Sequence, residues 1–131
     1  MSRPKVLIAD DHELMVRSLV RFLAPEFEIV ATVSDGEALV DAARQFQPDV
    51  IVADISMPGM TGTEAFGALR TAAACPFIFL TAYQDAELAA ELIEAGAAGF
   101  VLKQAAGNEL MAAIREVLQG RVYVSPLISR Q

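Results

Sequence analysis

The chain has 131 residues, 54 % of them hydrophobic and 21 % charged, which supplies one packed domain and excludes a disordered chain. A net charge of −7 argues against a nucleic-acid surface on this segment, because phosphate contacts need a basic face. The single Cys75 excludes an internal disulfide and reads as a core filler in a reducing, cytoplasmic setting.

Taken in chain order, short β-rich apolar runs alternate with segments of helical spacing. The start MSRPKVLIAD lacks the apolar region of a signal peptide, and its KVLIA (5–9) reads as the first strand. Met15, Leu19, Phe22 and Leu23 make the stripe of a first helix. EIVATV (28–33) is the second strand, followed by a helix opened by an S-x-x-E capping box at Ser34 and Glu37 and stopped before Pro48. DVIVA (49–53) is the third strand, and Thr61 and Glu64 form a T-x-x-E box for the third helix. PFIFL (76–80) precedes a helix striped by Leu88, Leu92 and Ala95 and closed by Gly96. GFVLK (99–103) precedes the last helix, which begins in AAGNEL with no clear box, is striped by Leu110, Ile114, Val117 and Leu118, and ends at Gly120. No apolar stretch approaches the roughly 18 residues a spanning helix needs, so no membrane contact is expected.

Five strands alternating with five helices imply right-handed crossovers and an α/β, doubly wound, five-stranded parallel sheet covered on both faces. Residues 1–120 read as this domain. Residues 121–131, RVYVSPLISRQ, carry no periodicity and read as a tail or the start of a linker.

In such a sheet, chemistry gathers beyond the carboxyl ends of the strands. Strand one ends in Asp10 and Asp11, strand three in Asp54, strand four in Thr81 and strand five in Lys103. Two unit charges about 4 Å apart repel by roughly 4 kcal/mol at an effective dielectric of about 20, so the acid pair calls for a positive partner. Clustered hard oxygen donors suit Mg2+, which takes one or two carboxylates and keeps several waters. An ion beside a carboxylate, with an ammonium and a hydroxyl opposite, is also what phosphoryl transfer needs. The chain contains neither GxxxxGK[ST] nor GxGxxG, so P-loop hydrolysis and dinucleotide binding are poorly supported. His12, with no nucleophile motif beside it, reads as a surface residue at a helix start.

ADDHELM, DISMPGMTG (54–62), LTAY (80–83) and AGAAGFVLK (95–103) together resemble the receiver (CheY-like, flavodoxin-like) domain of bacterial two-component response regulators, over residues 5 to 120. DDHELM and GRVYVSP resemble most the NarL/FixJ (LuxR-type) branch, whose receivers precede a helix-turn-helix DNA-binding domain. The resemblance implies that Asp54 accepts a phosphoryl group from a sensor histidine kinase. It implies that Asp11 ligates Mg2+ directly and Asp10 through water, joined by Asp54 and the Ser56 carbonyl. Lys103 and Thr81 would each engage a phosphoryl oxygen, Phe100 falls on the switch-aromatic position, and Ser56 and Tyr83 would flank the water that ends the signal. Gln104 replaces the proline many receivers carry after the lysine, which favours a trans bond there.

The expected function is a cytoplasmic phosphoacceptor switch rather than a turnover enzyme. It would control an output, transcription through a domain beyond this segment, with no nucleic-acid contact of its own and a homodimer allowed. Two rival readings remain open. One is a magnesium-dependent phosphatase resembling haloacid-dehalogenase proteins, whose nucleophile instead follows the first strand in a D-x-D pattern. The other is a pseudo-receiver that binds partners without phosphorylation.

Overall fold

Val, Ile, Leu and Phe fill both faces of the apolar runs, and such segments are stable only where helices cover them on two sides. A computed structural model describes residues 3–69 and 75–129 and shows that arrangement. The elements are β1 (Lys5–Ala9), α1 (Glu13–Leu23), β2 (Glu28–Val33), α2 (Gly36–Phe46), β3 (Val50–Asp54), α3 (Gly62–Leu69) and β4 (Phe77–Thr81). They continue with α4 (Ala86–Glu94), β5 (Gly99–Leu102), a 3-10 turn (Lys103–Ala105), α5 (Ala106–Leu118), β6 (Tyr123–Val124) and α6 (Pro126–Ser129). The strand order is β2-β1-β3-β4-β5-β6, every pair parallel.

Successive strand residues feed opposite cores. Val6, Ile8, Val50, Val52, Ile78 and Leu80 pack with Leu19 and Leu23 of α1 and with Leu110, Ile114 and Val117 of α5. Leu7, Ile51, Phe77, Phe79 and Phe100 face α2, α3 and α4, where Phe66 of α3 meets Phe77 edge-on at 5.1 Å. Two expected stripe residues lie at the margin: Phe22 is 40 % exposed and Leu118 37 %. Each follows or precedes a buried neighbour by one residue, a turn of about 100°, which carries it past the edge of the apolar face.

The T-x-x-E box forms as read: Thr61 N–H donates to Glu64 Oε1 at 3.0 Å and Glu64 N–H to Thr61 Oγ1 at 3.2 Å. The S-x-x-E box does not. Asp35, not Ser34, caps α2, its Oδ1 accepting Ala38 N–H at 2.8 Å. Gly96 and Gly120 close α4 and α5 with φ of 112° and 84°, each accompanied by the paired main-chain bonds of a Schellman motif. No peptide bond among the described residues is cis. Cys75 is largely covered, its Sγ donating to the Pro48 carbonyl, and burial pushes its thiol up to about 12, as suits a core filler.

The expectation of five strands and five helices is corrected to six of each among the described residues. Tyr123 and Val124 extend the sheet beside β5, and Ile128 of α6 is buried. A two-residue strand leaves no alternation to read, and its pairing depends on β5, not on its own sequence. No helix among the described residues is long and apolar enough to cross a membrane.

Candidate functional site

β1 and β3 are neighbours, but the chain leaves β1 toward β2 and β3 toward β4, so a crevice opens above their carboxyl ends. Asp10 follows β1, and its main-chain N–H still pairs with the Val33 carbonyl of β2 at 3.0 Å. That pairing drives its side chain into the crevice, where Asp10 is 2 % exposed. Asp54 closes β3 and is 3 % exposed. Lys103, first residue of the 3-10 turn and not the last of β5 as expected, reaches back across β4 toward both.

Lys103 Nζ lies 2.7 Å from Asp54 Oδ2 and 3.2 Å from Asp10 Oδ2. The first is a hydrogen bond; on Asp10 the ammonium donates to Oδ1 at 3.4 Å, and Oδ2 is buried without a hydrogen-bond partner. Asp10 Oδ1 accepts the His12 N–H at 2.9 Å, and Asp54 Oδ1 accepts the Ser56 N–H at 3.2 Å. Burial raises the pKa of Asp54, opposed by the hydrogen bonds from Lys103 and Ser56 and reinforced by the charge on Asp10.

The loop between β3 and α3 is held at both ends. Gly62 starts α3 so close to the acceptor strand that a Cβ there would stand 2.1 Å from the Asp54 carbonyl oxygen. Gly36 N–H donates to the Met60 carbonyl at 2.9 Å, and a Cβ on Gly36 would stand 2.2 Å from that oxygen. Gly59 between them turns the chain at φ 68°. Side chains at either contact would lift the loop that carries Ser56 off Asp54.

Asp10, Asp11, Asp54 and Lys103 therefore come together as the sequence suggests. Thr81 ends β4 and is buried, with its hydroxyl turned to the main chain of Tyr83, accepting Tyr83 N–H at 3.2 Å. Phe100 is fully buried opposite Phe79 in the sheet, Ser56 is exposed, and Tyr83 is 76 % exposed. His12 departs from expectation. It does begin α1, and its ring is 63 % exposed, but its Nδ1 lies 2.8 Å from Asp10 Oδ1 and 2.9 Å from Lys103 Nζ. Its place beside the acid pair was the one signal in the sequence that could have found it.

Donor atoms of Asp10, Asp11, His12 and Asp54 all lie within 4.8 Å of one another. Three carboxylates around one point, one oxygen of which is buried without a hydrogen-bond donor, fit a small hard cation.

The family model described as response regulator receiver domain matches residues 6–115. The chain is 36 % identical over 130 residues to the response regulator GacA of Pseudomonas aeruginosa, covering 97 % of this chain and 61 % of that protein. It is 38 % identical over 129 residues to the response regulator UvrY of Escherichia coli, covering 96 % and 59 %. The chain thus spans about three fifths of the length of these curated relatives. Among solved structures it superposes on a LuxR-family two-component response regulator from Aurantimonas with a TM-score of 0.90, 30 % identity and 98 % and 94 % of the two chains covered. On the receiver domain of the NarL response regulator of Mycobacterium tuberculosis the TM-score is 0.86, with 28 % identity and 92 % and 100 % covered.

Proposed function

The chain belongs to the response regulator receiver domain family, in its NarL/FixJ branch, and from that premise we propose that Asp54 accepts a phosphoryl group from the phosphohistidine of a sensor histidine kinase. The observation that carries the reading is the 2.7 Å contact between Lys103 Nζ and Asp54 Oδ2, with two further carboxylates beside it at the sheet's switch point. The phosphatase alternative is not favoured, since the matched family is one of signalling domains.

In the transfer, an Asp54 carboxylate oxygen forms the new P–O bond as the P–N bond to the donor imidazole breaks, and that imidazole takes up a proton. Asp11, Asp54 and the Ser56 carbonyl would hold Mg2+ directly and Asp10 through water. When bound, the ion draws the like-charged acceptor and phosphoryl oxygens together. Lys103 moves from its carboxylate partners to a phosphoryl oxygen. Thr81 turns its hydroxyl from the Tyr83 main chain to another, and Phe100 repacks beside it, so the switch is a population shift driven only by these differential contacts. Ser56 has neither the carboxylate nor the carboxamide that would orient an attacking water, and the bulky Tyr83 would exclude one, which favours a persistent signal. The switch is the domain of residues 1–120 with β6 and α6 packed on its sheet edge. Residues 121–131 lead toward an output domain, which in this branch binds DNA, and the receiver works in the cytoplasm, with a homodimer as one output.

Incubation with acetyl phosphate and Mg2+, followed by intact-mass measurement, tests the assignment. One phosphoryl adduct is expected, absent with EDTA and absent in Asp54→Ala. An equally labelled Asp54→Ala protein, or steady hydrolysis of phosphate esters, overturns it.

A further inference from the structure

The ring of His12 has no role in the phosphoryl transfer set out above, yet its Nδ1 stands where a ligand would. It lies 2.8 Å from Asp10 Oδ1, 3.4 Å from Asp11 Oδ1 and 3.6 Å from Asp54 Oδ2. Adjacent ligands of an ion bound octahedrally at about 2.1 Å are roughly 3 Å apart, close to the separations of Nδ1 from the oxygens of Asp11 and Asp54, the two carboxylates that would hold the ion directly. Independently, Asp10 Oδ2 is buried in the same cluster without a hydrogen-bond partner.

The hydrogen bonding around Nδ1 points the same way. On one side is Asp10 Oδ1, which could only accept a proton from it; on the other, at 2.9 Å, is Lys103 Nζ, which could only donate one. A single ring nitrogen cannot serve both. Asp10 Oδ1 already accepts the His12 main-chain N–H and, at 3.4 Å, Lys103 Nζ, whereas the ammonium, donating to Asp54 Oδ2 and Asp10 Oδ1, has one N–H left for the ring. With its proton on Nε2 the ring accepts from Lys103 Nζ and turns the Nδ1 lone pair to the carboxylates; with its proton on Nδ1 it donates to Asp10 Oδ1 instead. The first is the form in which imidazole binds a metal through Nδ1.

Resting on the receiver reading, we propose that His12 is a direct nitrogen ligand of the divalent ion, giving this site a stronger preference for transition ions such as Mn2+, Co2+ and Ni2+ over Mg2+ than an all-oxygen site has. Imidazole adds little for Mg2+, which favours oxygen and water, and much for the later first-row ions. Lys103 keeps Asp54 as its partner when the ring turns to the ion, because its shortest contact is to Asp54.

The test compares the parent protein with His12→Ala and with His12→Asn, which supplies a good helix N-cap residue where the His12 side chain makes no cap bond. Calorimetric titration with NiCl2 and with MgCl2 gives the selectivity ratio, and electron-spin-echo spectroscopy of the Mn2+-loaded proteins reports nitrogen coordination. His12 is the only histidine in the chain, so an imidazole 14N modulation has one source. The parent is expected to show that modulation and both variants to lack it. The Ni2+/Mg2+ affinity ratio should fall by roughly tenfold or more in both, the scale on which even outer-shell ligand partners count. An absent modulation in the parent, or an unchanged ratio, or equal losses for both ions overturns the proposal. A parent that binds Ni2+ through His12 but not Mg2+ supports the ligand and counts against the magnesium-dependent receiver reading instead.

Discussion

At the scale of single residues, the acceptor is held against its own preference. Burial raises the pKa of Asp54 more than Lys103 and the Ser56 N–H lower it, so without a metal the folded state binds its proton more tightly than the unfolded chain does. The sign of the linkage follows. Below the ordinary carboxylate value of 3.8 both states are protonated and Asp54 costs nothing, and stability falls as pH rises through the raised folded value. In EDTA at neutral pH, Asp54→Asn is therefore expected to melt above the parent, with the gap closing as the pH drops below about 4. Thermal unfolding across a pH series checks it; a variant that melts lower at neutral pH would mean that the Lys103 pair outweighs burial. Asp10, Asp11, Asp54 and Lys103 were legible in the sequence because the strand-end rule needs only chain order to place them. The inward turn of His12 was not, because one of its partners, Lys103, lies 91 residues away. The direction of the Thr81 hydroxyl was hidden for a related reason: it depends on the path of the backbone at Tyr83, not on residue type.

At the scale of elements, glycines set how near the loop after β3 can approach the acceptor. Gly62 was visible as a letter in DISMPGMTG, but the 2.1 Å approach to the Asp54 carbonyl that requires it exists only after α3 docks. Gly62→Ala must push α3 or the loop away from β3. Overpacking of this kind typically costs about 1–3 kcal/mol, and here it also shifts Ser56 relative to Asp54. The expected result is a lower denaturation midpoint together with slower phosphorylation by acetyl phosphate. Wild-type values for both would show that the loop gives way without disturbing the site. The capping signals illustrate the limit of local patterns. Thr61 and Glu64 had no competitor and formed their box, whereas Ser34 was followed directly by Asp35, an equally good cap. Asp35 is the residue that caps α2, directly before the Gly36 N–H that donates to the Met60 carbonyl of a distant part of the chain.

At the scale of the whole molecule, β5 ties the site to the far edge of the sheet. It carries Phe100, leads directly into Lys103, and on its other side supports β6. The link is polar and buried. Ser125, fully buried, donates its main-chain N–H to the Phe100 carbonyl at 2.9 Å and accepts the Leu102 N–H at 3.0 Å on its hydroxyl. The same hydroxyl donates to Glu109 Oε1 of α5 at 2.7 Å, an oxygen that also accepts the Tyr123 hydroxyl at 3.0 Å. Ser125→Ala deletes the acceptor of a buried main-chain N–H one residue before Lys103, and leaving such a donor unsatisfied costs about 1–3 kcal/mol. Tyr123→Phe removes only one donor to Glu109 and leaves Ser125 in place, so its effect should stay near 1 kcal/mol or below. Urea unfolding should therefore show a lower midpoint for Ser125→Ala than for Tyr123→Phe, with similar slopes if the fold remains one cooperative unit. Hydrogen exchange locates the loss: the Leu102 amide should lose protection in Ser125→Ala and keep it in Tyr123→Phe. Equal midpoints with unchanged protection at Leu102 would mean that the Ser125 hydroxyl adds nothing, and that β6 and α6 are held to the sheet by main-chain pairing and apolar contact.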